Sequence, residues 1–233
     1  AAGADISTAA FATASALETI TIDATGGDVT ANGNYGVDDT FTALDITTGS
    51  GSSDYATTIT LNNIGTTADD TDAVNGVVTI DGSGDTNVTS EGAAGFLGSV
   101  DASAATGSVN LDFSEYTGTG VFGITLGDAA SGETNTVNIS GATADQVLTG
   151  GTGADVLLTG SGADLLSGGA GDDSLSGGDG IDLLQGDAGD DTLEGGAKAD
   201  ILTGGAGEDQ FNYATGATGF DSVALADTIT DFT

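Results

Sequence analysis

The sequence predicts an all-β protein: a parallel β-solenoid whose carboxy-terminal part is a tighter roll of nine-residue repeats. Three observations predict it. From Gly150 to Asn212 the chain repeats every nine residues without a gap, with Asp at the sixth position and a large apolar residue at the eighth. Upstream, short runs that alternate apolar and polar residues are separated by polar turns, the signature of half-buried strands. The last of these runs leads into the repeats without a linker, so one stack of strands accounts for both parts.

Taken in order, the alternating runs are Thr19-Ile20-Thr21-Ile22, Leu44-Asp45-Ile46, Thr58-Ile59-Thr60-Leu61, Val77-Val78-Thr79-Ile80, Val109-Asn110-Leu111, Ile124-Thr125-Leu126 and Val137-Asn138-Ile139. Only Ala9 to Leu17 is helix-prone. The spacing of the runs is irregular, which leaves a sandwich open beside the solenoid. Asp is denser where the glycines cluster: of 30 Asp, 15 lie in residues 1–139 and 15 in the remaining 94. A boundary near Ser140 therefore divides an Ala/Thr/Ser/Gly-rich solenoid-like region, 1–139, from the roll, 140–233, in which 150–212 carry the repeats and 213–233 form a capping segment.

The first repeat reads Gly150-Gly151-Thr152-Gly153-Ala154-Asp155-Val156-Leu157-Leu158. The sixth position continues through Asp164, Asp173, Asp182, Asp191, Asp200 and Asp209, and the eighth runs Leu157, Leu166, Leu175, Leu184, Leu193, Leu202, Phe211. The first six residues form a glycine-rich turn and the last three a short strand. Side chains alternate across a strand, so the eighth residue points inward while its neighbours point out. Two repeats make one coil of eighteen residues, with stacked leucines between two parallel sheets.

Composition says what such a stack needs. The chain has 36 acidic residues, one Lys, no Arg and no His, a formal charge of −35. Stacked turns place Asp carboxylates from every second repeat in a row at the strand spacing of about 4.8 Å. Bare rows repel, and self-repulsion at this net charge opposes any compact state. Ca2+ resolves this, because carboxylate oxygens and turn carbonyls supply the six to eight hard oxygen ligands it takes, whereas Mg2+ demands a tight octahedron and retains its waters. Nucleic acid and anionic membrane surfaces are excluded as partners, because both are bound through Lys and Arg. No run of 18 apolar residues exists, so no helix is expected to span a membrane. The chain opens at Ala1 without Met or a basic leader, which suggests a fragment or a processed product.

The G-G-x-G-x-D-x-U-x repeat of residues 150–212 resembles that of the RTX (repeats-in-toxin) calcium-binding family. The resemblance implies ions between Asp155 and Asp173, Asp173 and Asp191, and Asp191 and Asp209 on one side, and between Asp164 and Asp182, and Asp182 and Asp200, on the other. It implies further ligands from the turns: Gly151, Gly153, Gly160, Gly162, Gly169, Gly171, Gly178, Gly180, Gly189, Gly205 and Gly207, with the extra acids Asp172 and Asp190 alongside. The stretch Asp227-Thr228-Ile229-Thr230-Asp231-Phe232 resembles the capping segment that follows such repeats, and Asp227, eighteen residues beyond Asp209, would close a sixth site. About five or six Ca2+ ions are thus expected.

Departures from the repeat single out one side. Thr159 and Asp187 replace turn glycines, and Lys198, the only basic residue, replaces a fourth-position glycine. At Lys198 either the backbone is strained and the ammonium stands in for a cation, or the side chain points to solvent. At the outward seventh position one sheet carries Val156, Ser174, Thr192 and Gln210, while the other carries Leu165, Leu183 and Ile201, with Ile181 in its turns. Such an apolar row is normally covered. The tail around Phe220 to Phe232 and a neighbouring subunit are the two candidates.

Catalysis is not expected. Without His or Cys there is no Ser-His-Asp or Cys-His nucleophile system and no ordinary zinc site. The composition of residues 1–139 and the stretch Val100 to Gly107 resemble RTX surface-layer proteins. The resemblance implies a non-catalytic structural protein of the bacterial cell surface, exported unfolded by a type I system and folded by extracellular calcium. Its partners would be further copies of itself in a two-dimensional lattice and a cell-surface glycan anchor. The terminal module of an RTX adhesin and the non-catalytic end of a secreted RTX enzyme are the alternatives.

Overall fold

A computed structural model describes residues 4–8, 19–24, 29–34, 43–48, 56–62, 77–91, 99–116, 122–129, 133–212 and 227–231. Within them the chain forms twenty-one strands, β1 (Ala4–Thr8) to β21 (Thr228–Ile229), and no helix. Apart from the two-residue β14 (Ser161–Gly162), which lies beside this path, strands alternate between two sheets and each pairs in parallel with the next but one along the chain. This is a two-sided β-solenoid, and all seven alternating runs lie in or against its strands. The helix-prone Ala9 to Leu17 falls outside the described residues.

Coil length separates the two parts more clearly than any break. Leu44 pairs with Val78 and Gly123 with Val147, coils of thirty-four and twenty-four residues. From Val147 to Asn212 the partners are eighteen apart, as in Leu165 with Leu183 and Leu175 with Leu193. Longer upstream turns have no fixed length, which is why no period was legible there. The sheets themselves continue across Ser140: β11 (Thr134–Asn138) pairs with β13 (Ala154–Leu158).

The core is a single stack of apolar side chains between the sheets. Ile80, Val88, Leu111, Val137 and Ile139 fill it upstream, and Leu157, Leu166, Leu175, Leu184, Leu193 and Leu202 fill it in the roll. Each leucine is at most 1% exposed, as the inward eighth position requires. Burying each contributes about 2 kcal/mol.

Two expectations need correction. The roll's strands are longer than three residues, since Leu165–Ala170, Thr192–Ala197 and Ile201–Ala206 each run six. The ladder continues through the second and third positions of the next repeat, where Gly169 pairs with Asp187 and Ala170 with Ala188, leaving only the first-position glycines Gly168 and Gly186 out of it. The second correction concerns the tail. Thr228 and Ile229 pair with Ile201 and Leu202, twenty-seven residues back rather than eighteen. The last coil is therefore nine residues longer than its predecessors. Phe220 and Phe232 lie outside the described residues.

Candidate metal centre

Each sixth-position Asp stands where a turn enters a strand, and the stacking brings these residues into two rows. One contains Asp155, Asp173, Asp191 and Asp209; the other contains Asp164, Asp182, Asp200 and Asp227. The same hydrogen bond builds every step. Asp155 N–H donates to Asp173 Oδ1 at 2.8 Å, Asp173 to Asp191 at 2.8 Å, and Asp191 to Asp209 at 3.1 Å. In the second row Asp164 N–H donates to Asp182 Oδ1 at 2.8 Å, Asp182 to Asp200 at 2.8 Å, and Asp200 to Asp227 at 2.9 Å. Asp227 thus stands after Asp200, not after Asp209 as its spacing suggested, because the longer last coil returns the chain to the opposite side.

That bond uses one oxygen of each carboxylate. The other, Oδ2, lies against the first-position glycine of its own repeat, where a Cβ on Gly168, Gly186 or Gly204 would overlap the carboxylates of Asp173, Asp191 or Asp209. The Oδ2 atoms of Asp164, Asp173, Asp182, Asp191 and Asp200 are buried without a hydrogen-bond partner. The residues that carry them are at most 2% exposed. An anionic oxygen withdrawn from water with no donor is costly. Burial accordingly pushes the carboxyls of Asp173 and Asp182 up to about 7 and that of Asp200 up to about 6. Asp155, Asp164 and Asp191 are raised by the same desolvation. Facing carboxylates add to the rise at Asp173, Asp182 and Asp200.

The charge of Lys198 lowers the carboxyls of Asp182 and Asp200, but less than burial raises them. The sole cation, Lys198, is exposed, and its backbone φ is +89°, in the left-handed region that favours glycine. Both readings of Lys198 therefore hold in part: the backbone is strained and the side chain faces water. Asp187 also has a positive φ, +77°, and its Oδ2 accepts a bond from Ser167 Oγ at 2.7 Å. Thr159 is accommodated differently, buried with its hydroxyl donating to Gly177 O at 2.7 Å.

Among the described residues no three acidic groups converge, so a cation in either row would draw on two successive Asp and the turn backbone. The turn glycines run alongside the rows. Gly151 and Gly160 carbonyls accept ladder bonds from Ala170 and Asp179 at 2.9 and 2.8 Å. Added methyls on Gly162, Gly169, Gly171, Gly178, Gly180, Gly189, Gly205 and Gly207 would overlap the carbonyl oxygen of the coil before, and one on Gly153 would crowd Ala129, so the turns are closely packed backbone. Asp172 and Asp190 stand beside the row rather than in it. On the exposed edge, Asp172 Oδ1 accepts from Asp190 N–H at 2.9 Å and Asp190 Oδ1 from Glu208 N–H at 2.8 Å.

Two residues of this polar stack escaped sequence reasoning. Gln146 precedes Asp164 in its row, its N–H donating to Asp164 Oδ1 at 2.7 Å. A signal existed, since Gln146 and Leu148 lie nine before Asp155 and Leu157 and so form a degenerate repeat. Asn135 precedes Asp155, at a spacing of twenty that hides it. At the other end, Asp231 accepts the amides of Gly204 and Gly205 at 2.9 and 2.7 Å, which ties the capping segment to the last turn.

The outward row Leu165, Leu183 and Ile201 is 36–43% exposed, and Val147 extends it by one coil at 40%. The described part of the tail adds a strand at the edge of this sheet and does not lie over the row.

Stacked nonapeptide coils with two rows of buried, uncompensated Asp define a calcium-binding β-roll. Residues 149–184 and 185–219 match the model of the RTX calcium-binding nonapeptide repeat (4 copies). The chain thus carries RTX repeats, whose structural role is to bind calcium. None of the curated proteins and none of the solved structures compared with the chain matches it. Among the described residues no helix is long and apolar enough to cross a membrane.

Proposed function

We propose that this chain is a non-catalytic extracellular structural protein that calcium folds after export, and that it serves as a lattice subunit of a bacterial surface layer. The observation that carries the calcium part is the set of five buried Oδ2 atoms without a donor in a chain whose only cation faces solvent. Asp155, Asp173, Asp191 and Asp209 would hold ions along one side, and Asp164, Asp182, Asp200 and Asp227 along the other, with turn carbonyls completing each shell. Ca2+ supplies the positive charge and the high coordination number that the buried oxygens lack. Because the rows exist only when the coils are stacked, calcium binds the folded form alone and stabilises it by mass action.

In the low calcium of the cytosol the chain would stay open, suited to export through a type I channel, and it would fold outside. The exposed apolar row supports lateral contact between copies, and the absence of His and Cys supports a role without catalysis. Chelation is the direct test of folding. Circular dichroism should show loss of β structure in EDTA and its return in millimolar calcium, and an unchanged spectrum on chelation would refute the reading. For the lattice, electron micrographs of the calcium-loaded protein should show two-dimensional order.

A further inference from the structure

The two carboxylate rows have upstream ends, and both end in an amide. Followed through the strand register, one row reads Val109, Asn135, Asp155, and the other reads Phe122, Gln146, Asp164. The position passes from apolar to neutral polar to acidic in two coils on both sides. Asn135 and Gln146 are buried, at 1% and 0% exposure.

Asn135 occupies its step as an Asp does, with one difference. Its Oδ1 accepts the N–H of Val109 at 2.9 Å, the bond that the Oδ1 of Asp164 and of every later Asp in the rows accepts from the coil before. Where an Asp would carry Oδ2, Asn135 carries Nδ2, which donates to Asp155 Oδ1 at 2.8 Å and lies 3.5 Å from Gly127 O. Gln146, with its longer side chain, shares part of this arrangement. Its backbone N–H supports Asp164 as an Asp would, while Nε2 donates at 2.7 Å to Ala144 O, a fourth-position turn carbonyl. In each row an NH2 group thus meets oxygens of the kind a cation collects further down, a carboxylate and a turn carbonyl at Asn135 and a turn carbonyl at Gln146.

We infer that Asn135 and Gln146 are built-in end-caps of the calcium rows: their amide NH2 groups take the place of one more cation in each row. They set where the rows of calcium sites begin, at the junction between the upstream solenoid and the roll. This rests on the calcium reading above and goes beyond it by assigning the boundary of ion binding to two residues.

The test is Asn135→Asp, which turns the donor into a second acceptor, compared with wild type and Asn135→Ala. Calcium stoichiometry is measured by equilibrium dialysis on the full chain, and folding by circular dichroism in calcium and in EDTA. The expected result is one more bound calcium in Asn135→Asp than in wild type and no gain in Asn135→Ala. A folded Asn135→Asp with the wild-type ion count overturns the inference, as does a gain in Asn135→Ala. Should Asn135→Asp fail to fold in calcium, Gln146→Asp decides in the other row: one added ion supports the caps, and an unchanged count overturns them. A wild type that binds no calcium would instead defeat the calcium reading itself, so the two failures are distinct.

Discussion

At the scale of single residues, the unit of this protein is a carboxylate with two differently employed oxygens. Oδ1 locks a backbone amide of the coil before, and Oδ2 is left buried against a glycine. Not all sixth-position Asp are equivalent. Asp155 Oδ2 accepts from Gly151 N–H at 2.8 Å and its Oδ1 from Asn135, whereas Asp182 Oδ2 has no partner. Asp182→Ala should therefore lose about two calcium ions and Asp155→Ala about one, by equilibrium dialysis, because an interior Asp is shared by two sites. Equal losses would count against shared ligation. Lys198 gives a second prediction. A non-glycine residue in the left-handed region costs on the order of 1 kcal/mol, so Lys198→Gly should raise the stability of the calcium form by about that amount in denaturant titration.

At the scale of elements, each coil contributes one inward leucine per sheet and contacts mainly its neighbours, so the stack is quasi-one-dimensional. Leu184 is fully buried while adjacent Leu183 is 36% exposed, a difference set only by strand alternation. Leu184→Ala should cost about 2–5 kcal/mol and Leu183→Ala about 1 kcal/mol or less. Hydrogen exchange in calcium should localise the loosening caused by Leu184→Ala to the coils around it. The strands were legible from alternation, and the eighth-position core from its period. The length of the roll strands was not, because glycine has no side chain with which to show a two-residue pattern, and only strand register reveals that Gly169 and Ala170 stay in the ladder.

At the scale of the whole molecule, a charge of −35 must be neutralised before the chain can be compact. Protons are the alternative to calcium. A carboxyl whose folded pKa exceeds its unfolded value of 3.8 binds more protons folded than unfolded, so its contribution to stability is full below about 4 and is lost as pH rises through the folded value. For Asp200 that value is about 6, and for Asp173 and Asp182 it is about 7. The metal-free chain should therefore gain β structure as pH falls from 7 towards 4. Over the same range calcium should bind more weakly, since protons compete for the same oxygens. Circular dichroism in EDTA and calcium titrations at pH 5 and 8 would check both, and an EDTA form that lost β structure on acidification would contradict the burial of these carboxyls.

The sequence alone was enough for the solenoid class, the two-repeat coil, the inward leucines and the acidic rows, because each depends on a local period repeated without a gap. Three features depended on the tertiary structure: the shift of Asp227 into the row of Asp200, the amide caps Asn135 and Gln146, and the placement of Asp172 and Asp190 beside the row. Each depends on where a coil of unequal length returns the chain, or on which of two adjacent acids the turn points inward. Spacing carries no such information once the period breaks. What a period cannot encode, strand register supplies: hydrogen bonding between coils aligns residues by position in space, whatever the number of residues in the turn between them.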